Sequence, residues 1–291
     1  MKNINIFCFG FGQVAKKFIS KVKMENYNIN LNSTSRDKTS KEKFDGIDYI
    51  NYQFNNEKYD KNLIAKLREA EHILISIPPK GEEDLVIKNF SKFLEISNVK
   101  WITYLSATSV YGDHKGEWVN EKSKTKPTSP NGLARLKAEN TWLSLGADKN
   151  LPVQIFRLSG IYSNENNILV RLKLGTAKLV NKKNHFFSRI HVEDIACILF
   201  RSLSKFKSGE IYNLSDDKPS TSEELTLHGA KILNIQNLEA IEVNEIESEM
   251  LKNFYKDSKK VSNEKIKNYF DYDFKFPTYV EGLDHIRDNF I

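Results

Sequence analysis

The 291-residue chain is 40% hydrophobic and 28% charged, the balance of a soluble globular protein long enough to bury a full core. Its net charge of +6 is spread among acidic residues without an RNP, zinc-finger or helix-turn-helix pattern, so nucleic-acid binding is not expected. It has no apolar run of about eighteen residues and no signal-peptide pattern, which predicts a cytoplasmic protein without a membrane span.

Residues 3–9 (NINIFCF) form an apolar run of strand length ending at Gly10. Val14, Ala15, Phe18, Ile19 and Val22 then recur at helical spacing. A second strand covers 27–34, with alternating Ile29 and Leu31, followed by a polar loop, SRDKTSKEKF, and a short strand around 47–51. Next come a helix over 59–69, a buried strand over 72–79 closed by two prolines, and a helix over 82–97 with Leu85, Val86, Phe90, Phe93 and Leu94 on one stripe. A strand over 101–107, a helix over 131–147 and a strand over 152–162 complete the alternation. Beyond residue 160 the elements shorten: a helix at 166–173, the segment 189–203 and a strand at 209–214. This order predicts βαβ units with right-handed crossovers. The fold class is α/β, a Rossmann-type doubly wound parallel sheet over 1–160. A small C-terminal α+β substrate lobe over 161–291 is partly interleaved with the sheet.

Gly10-Phe11-Gly12-Gln13-Val14-Ala15 fits G-x-G-x-x-G/A between a strand and a helix. Gly10 permits the tight turn and Gly12 lets backbone approach a pyrophosphate. Ala15 permits close helix–strand packing, and the N–H groups at Gln13 and Val14 belong to an anion-attracting helix start. A glycine turn without a ligand is the plain alternative. At the end of the second strand, Ser35, Arg36 and Lys38 stand where an acidic residue would hold an NAD ribose. Arginine there suits a 2′-phosphate and favours NADP, while Asp37 leaves NAD open. Cys8 and Cys197 read as buried small hydrophobes, and the six dispersed histidines give no metal spacing.

Several segments together resemble the extended short-chain dehydrogenase/reductase superfamily in its NAD-dependent epimerase/dehydratase branch, within an atypical subgroup. They are FGFGQVAKKF, SIPP, YLSATSVYGD (104–113), PTSPNGLARLKAEN (127–140), LSGIYSNENNILVRLKLG (158–175), FSRIHVEDIA (187–196) and VSNEKIKNYFDYDFKFPTYVEGL (261–283). The resemblance implies that Ser76, Ile77, Pro78 and Ser106 join the glycine turn in holding the cofactor. Active members use a Tyr-x-x-x-Lys pair and a Ser or Thr hydroxyl. Here Asn131 stands for the tyrosine and Arg135 for the lysine, and Ala107 takes the hydroxyl position between Ser106 and Thr108. Asparagine cannot ionise and arginine hardly ever releases its proton. Thr108, Asn131 and Arg135 are the catalytic candidates, Thr108 only if the strand end is irregular.

Tyr111, Trp118, Tyr162, Arg189 and His191 fall on segments that border the substrate cleft in such proteins, with 163–167 as a covering loop and His114 a further ionisable neighbour. Packing is the alternative for Tyr111, a structural helix start with Glu193 and Asp194 for His191, and an ion pair with Glu193 for Arg189. Two functions follow. One is an NADP-dependent oxidoreductase or epimerase on a small polar substrate, nucleotide-linked or carboxylated, using an unorthodox proton donor or a water. The other is a catalytically silent nucleotide-binding sensor or scaffold. By the same resemblance, helices 82–97 and 131–147 are long enough to form a homodimer.

Overall fold

The computed structural model describes residues 2–81, 83–95, 97–248, 252 and 255–290. In chain order its elements are β1 (Lys2–Phe9), α1 (Gln13–Met24), β2 (Tyr27–Ser35), β3 (Ser40–Phe44), β4 (Ile47–Gln53), α2 (Leu63–Glu69), β5 (His72–Ile75), α3 (Leu85–Leu94) and β6 (Trp101–Ala107). They continue as β7 (Trp118–Val119), α4 (Pro130–Lys149), β8 (Val153–Leu158), β9 (Gly160–Tyr162), α5 (Ile168–Lys173), β10 (Leu179–Asn181), β11 (Arg189–His191), α6 (Val192–Ser202) and β12 (Ile211–Leu214). The last are α7 (Ser222–Ile232), β13 (Ala240–Glu242), β14 (Lys260–Val261), α8 (Glu264–Phe270) and α9 (Tyr279–Phe290).

Two compact units emerge. The first is Met1–Ala107, Leu133–Arg157 and Ile195–Ile211; the second is Thr108–Gly132, Leu158–Asp194 and Tyr212–Ile291. The interleaving therefore goes further than a division at residue 160: one early segment joins the second unit and one late segment returns to the first.

The large sheet has the order β12-β8-β6-β5-β1-β2-β4-β3. β1 pairs in parallel with β2 on one side and β5 on the other, so the winding direction reverses between β1 and β5. In open α/β sheets such a reversal opens a crevice at the carboxyl ends of the strands. Phe7, Phe9, Ile73, Ile75, Tyr104, Trp142 and Ile155 share one buried cluster of the first unit.

Local chemistry moves several expected boundaries. The polar loop after β2 contains β3, antiparallel to β4. Asp45 (φ 49°) and Gly46 (φ 78°) are the two consecutive left-handed residues that a tight hairpin requires. The helix expected from 59 begins only at Leu63, because Phe54 and Tyr59 form an antiparallel bridge and the Asn55 side chain accepts from the Glu57 and Lys58 N–H groups. β5 stops at Ile75, where the Ser76 and Ile77 N–H groups both turn back to the Phe9 carbonyl. Residues 82 and 96, near the ends of the expected helix 82–97, lie outside the described residues. α3 itself starts behind Asp84, whose Oδ1 accepts from the Val86 and Ile87 N–H groups at 2.9 and 3.0 Å. Strand 152–162 breaks at Ser159 into β8 and β9, which belong to different sheets, and 189–203 divides into β11 and α6. Cys8 is buried as expected, but Cys197 is half-buried.

A buried ion pair lies in the first unit. Arg157 Nε donates to both Glu139 oxygens at 3.1 Å and Nη2 to Oε2 at 2.6 Å, with both residues almost wholly buried. Removing one member of such a pair leaves an uncompensated charge in low dielectric. Glu139→Ala is expected to lower the free energy of unfolding in urea by about 3–5 kcal/mol, and Glu139→Met with Arg157→Leu by clearly less.

Candidate functional site

In the first unit, the crevice of the large sheet is built from the end of β1 upward. Gly10 has φ +86°, and a Cβ there would lie 2.7 Å from Ile77 Cγ2 and 2.9 Å from Ser76 Oγ. Ser76 Oγ donates to the Phe9 and Gly10 carbonyls at 3.1 and 2.9 Å, and Gly10 N–H donates to Thr34 Oγ1 at 3.0 Å. The turn is thus held by the ends of β5 and β2. Gly12 stands at the N-cap of α1, where a Cβ would meet nothing within 4 Å. Beside this open cradle Gln13 is exposed, while Val14 and Ala15 are buried in the helix face. Pro78 is exposed beyond Ile77.

Ser35 Oγ accepts from Asn51 Nδ2 at 3.1 Å and from the Asp37 N–H at 3.3 Å. Arg36 is exposed; its carbonyl is met by Gln53 and Asn55 side chains, each at 3.5 Å, and its guanidinium has no partner among the described residues. Lys38 is likewise exposed. Ser106 is buried, and its hydroxyl has no hydrogen-bond partner among the described residues. A cradle open at Gly12, an orphaned hydroxyl at Ser106 and an available guanidinium at Arg36 fit a dinucleotide. Thr34 and Asn51 were not foreseen, although hydroxyl and amide side chains near the ends of adjacent strands are the signal that names them.

Arg135, on α4, is half-buried and its Nη1 donates to the Leu105 carbonyl at 2.7 Å. Tyr104 is buried, and burial pushes its phenol well above the ordinary range, so it holds its proton at neutral pH.

In the second unit, Thr108 opens a 3-10 turn, Thr108–Tyr111, directly after β6; this is the irregularity that frees it from strand alternation. Asn131 is exposed in the first turn of α4, which Ser129 caps by accepting from the Gly132 N–H at 3.1 Å. Tyr111 is wholly buried and donates to Asn213 Oδ1 at 2.7 Å, so it packs and does not reach a ligand. Trp118 is 56% exposed on β7, paired with β14, and lines no cavity described here. His114 lies close to the Lys124 carbonyl through Nε2, at 3.1 Å.

A cavity of about 230 Å³ lies wholly within the second unit, and its lining includes Tyr162, Asn167, Arg171, Arg189, Tyr255 and Tyr279. Tyr162 and Arg189 are therefore on its wall. His191 is not: it is wholly buried, its ring 4.1 Å from that of Phe276 and 5.0 Å from that of Tyr162, with Nδ1 accepting from the Glu193 N–H at 3.3 Å. Nor does Glu193 pair with Arg189; it pairs with Lys275 at 2.7 Å. Asp194 accepts from Tyr272 Oη at 2.6 Å and from the Lys275 and Phe276 N–H groups, tying the C-terminal segment to the start of α6. The loop before α5 forms part of the cavity wall: Asn166 and Asn167 line it, and Asn167 Oδ1 caps α5. Tyr255 packs against His185 (5.4 Å), which also meets Phe187 (4.6 Å), and burial pushes the His185 imidazole down to about 4. Among the described residues no His, Cys, Asp and Glu cluster has a metal-binding arrangement, and no helix is long and apolar enough to cross a membrane.

Residues 87–215 match the model of the NAD dependent epimerase/dehydratase family. Among solved structures, a conserved protein of unknown function from Silicibacter pomeroyi is 29% identical, with 98% of each chain covered and a TM-score of 0.85. The dTDP-glucose 4,6-dehydratase of Bacillus anthracis, solved with NAD, is 19% identical, covering 98% of this chain and 96% of its own, with a TM-score of 0.75. The UDP-glucuronic acid 4-epimerase of Bacillus cereus, also solved with NAD, is 12% identical, with the same coverage and a TM-score of 0.77. The latter two likenesses are of fold. Comparison with curated proteins returns no match.

Two outcomes test the packing around the cavity. A Cβ on Gly282 would fall 2.1 Å from Tyr162 Oη, so Gly282→Ala is expected to cost about 1–3 kcal/mol of stability in urea unfolding. His185 holds its proton less tightly folded than unfolded, so the unfolded chain binds more protons between about pH 4 and 6.5. Stability should fall as pH drops through that window, and His185→Phe should flatten part of the slope of melting temperature against pH.

Proposed function

We propose that this chain, a member of the extended short-chain dehydrogenase/reductase superfamily, is an NADP-binding oxidoreductase or epimerase acting on a small polar substrate. The observation that carries the reading is the glycine turn at the reversal point of the sheet, locked at Gly10 and open at Gly12. Its structural neighbours solved with NAD support a nicotinamide dinucleotide as the ligand. A bound nicotinamide supplies a hydride donor or acceptor.

This chain's own residues do the rest. The backbone at Gly12 and the first N–H groups of α1 receive the pyrophosphate, where the helix start carries partial positive charge. Arg36, exposed and without a partner among the described residues, receives the 2′-phosphate as a planar fork that matches three oxygens better than a ribose hydroxyl does. Ser106 offers its hydroxyl to the cofactor. Asn131 cannot exchange a proton and Arg135 retains its own, so Thr108 is the hydroxyl available to orient a substrate oxygen, and the proton passes to water.

A second reading, a nucleotide-binding sensor or scaffold without turnover, is favoured by one observation. The Arg135 guanidinium is tied to the Leu105 carbonyl, a contact that fixes structure, and its charge is permanent.

Fluorescence titration with NADPH and with NADH tests the cofactor assignment. Micromolar NADPH binding is expected, weakened roughly tenfold by Arg36→Ala with NADH little changed. If neither nucleotide binds, the cofactor assignment and the nucleotide-sensor reading both fail, and only a scaffold that binds no dinucleotide is left.

A further inference from the structure

The lining of the second unit's cavity is unbalanced in charge. Among the described residues it includes Arg171, Lys178 and Arg189 and no Asp or Glu. Lys178 is exposed and paired with Glu239. Arg171 is exposed with no side-chain partner among the described residues. Arg189 is half-buried, and among the described residues its guanidinium hydrogen bonds run through Nη1 to neutral groups: Ser220 Oγ at 2.7 Å, the Ser220 carbonyl at 3.4 Å and the Phe187 carbonyl at 3.3 Å. The Phe187 and Tyr279 rings, 5.9 and 6.0 Å from its guanidinium carbon, hold the plane in place. No carboxylate forms an ion pair with it among the described residues. Asp216, in the same unit, is buried with Oδ2 lacking a hydrogen bond among the described residues; burial pushes its carboxyl up while the Arg189 charge pulls it down, so the two groups interact without forming an ion pair. A half-buried guanidinium whose second edge has no partner among the described residues, on the wall of a cavity whose described lining carries no acid, can receive an oxyanion.

Size narrows the ligand. The roughly 300–1,000 Å³ of typical ligand pockets exceeds the 230 Å³ found here. A nucleoside diphosphate sugar is larger than this space.

We propose that this cavity binds the acidic group of a small carboxylate or phosphate monoester, held between Arg189 and Arg171, and excludes nucleotide sugars. The proposal rests on the reading of the chain as acting on a small polar substrate and names that substrate's class. Oxyanion and guanidinium pair through two parallel N–H···O bonds from the free edge of Arg189, and the phenols of Tyr162 and Tyr279 contribute to the wall.

Calorimetric titration of the full chain with malate, glycerol 3-phosphate and UDP-glucose, each with and without saturating NADPH, tests this. Malate or glycerol 3-phosphate is expected to bind with a submillimolar Kd and UDP-glucose more weakly; the stronger of the first two identifies the acid as carboxylate or phosphate. Arg171→Gln, at an exposed position, and Arg189→Lys should each weaken that binding roughly tenfold while leaving NADPH affinity unchanged. Tighter binding of UDP-glucose, no binding of either small acid, or small-acid binding indifferent to both substitutions overturns the proposal. Loss of NADPH binding with small-acid binding intact overturns the cofactor assignment and leaves this one standing.

Discussion

The structure of the first unit depends on a close approach that only a residue without a side chain permits. Gly10 turns at φ +86° with Ser76 and Ile77 so near that a single methyl would collide with both. Because β1 lies between β2 and β5, this contact joins the end of the central strand to its neighbours: Thr34 receives the Gly10 N–H and Ser76 donates to the Gly10 carbonyl. Three strand ends are thereby fixed in one place, and the start of α1 is fixed with them. The consequence is a turn at the start of α1 whose backbone geometry owes little to flexible side chains.

The second unit follows a different logic. Its cavity is bounded by side chains from short elements, and the carboxylate of Asp194 holds the segment 272–276 by three hydrogen bonds. His191 and Tyr111, both polar, are wholly buried and each makes a hydrogen bond within the unit; the His191 ring lies against those of Phe276 and Tyr162. Polar residues in a family-like segment are therefore not automatically ligand residues; burial and existing partners decide. Arg189 differs because its partners occupy one nitrogen only.

Much of this was legible in the chain. Alternating apolar runs and helical stripes mark the strands and helices through β6 apart from β3, and the G-x-G-x-x-A turn marks the crevice. What escaped was governed by side-chain hydrogen bonds and turn conformations that hydrophobic periodicity does not encode. The hairpin of β3 and β4 was hidden because Ser40–Phe44 is almost entirely polar, although the Asp45-Gly46 pair marks its turn. Thr34 and Asn51 lack any motif. The positions of His191 and Tyr111 depend on long-range packing, and a catalytic role read from spacing cannot anticipate it. Conversely, the replacement of the expected tyrosine and lysine by Asn131 and Arg135 was visible at once, because it is a matter of residue chemistry alone.

Phe11, between the two glycines, packs its ring 5.3 Å from Phe44 and 5.0 Å from Tyr49, on the hairpin at the edge of the sheet. Lys16 lies over Phe44 from the first turn of α1. The glycine loop is therefore clamped by contacts of the folded chain itself. A flexible glycine loop loses conformational entropy when it closes on an anion, and that loss is subtracted from affinity. Here aromatic contacts within the folded chain have already supplied the ordering. The polar hairpin at the margin of the sheet thus acts as a brace for the recognition loop, and binding at the turn is a docking onto a preorganised surface.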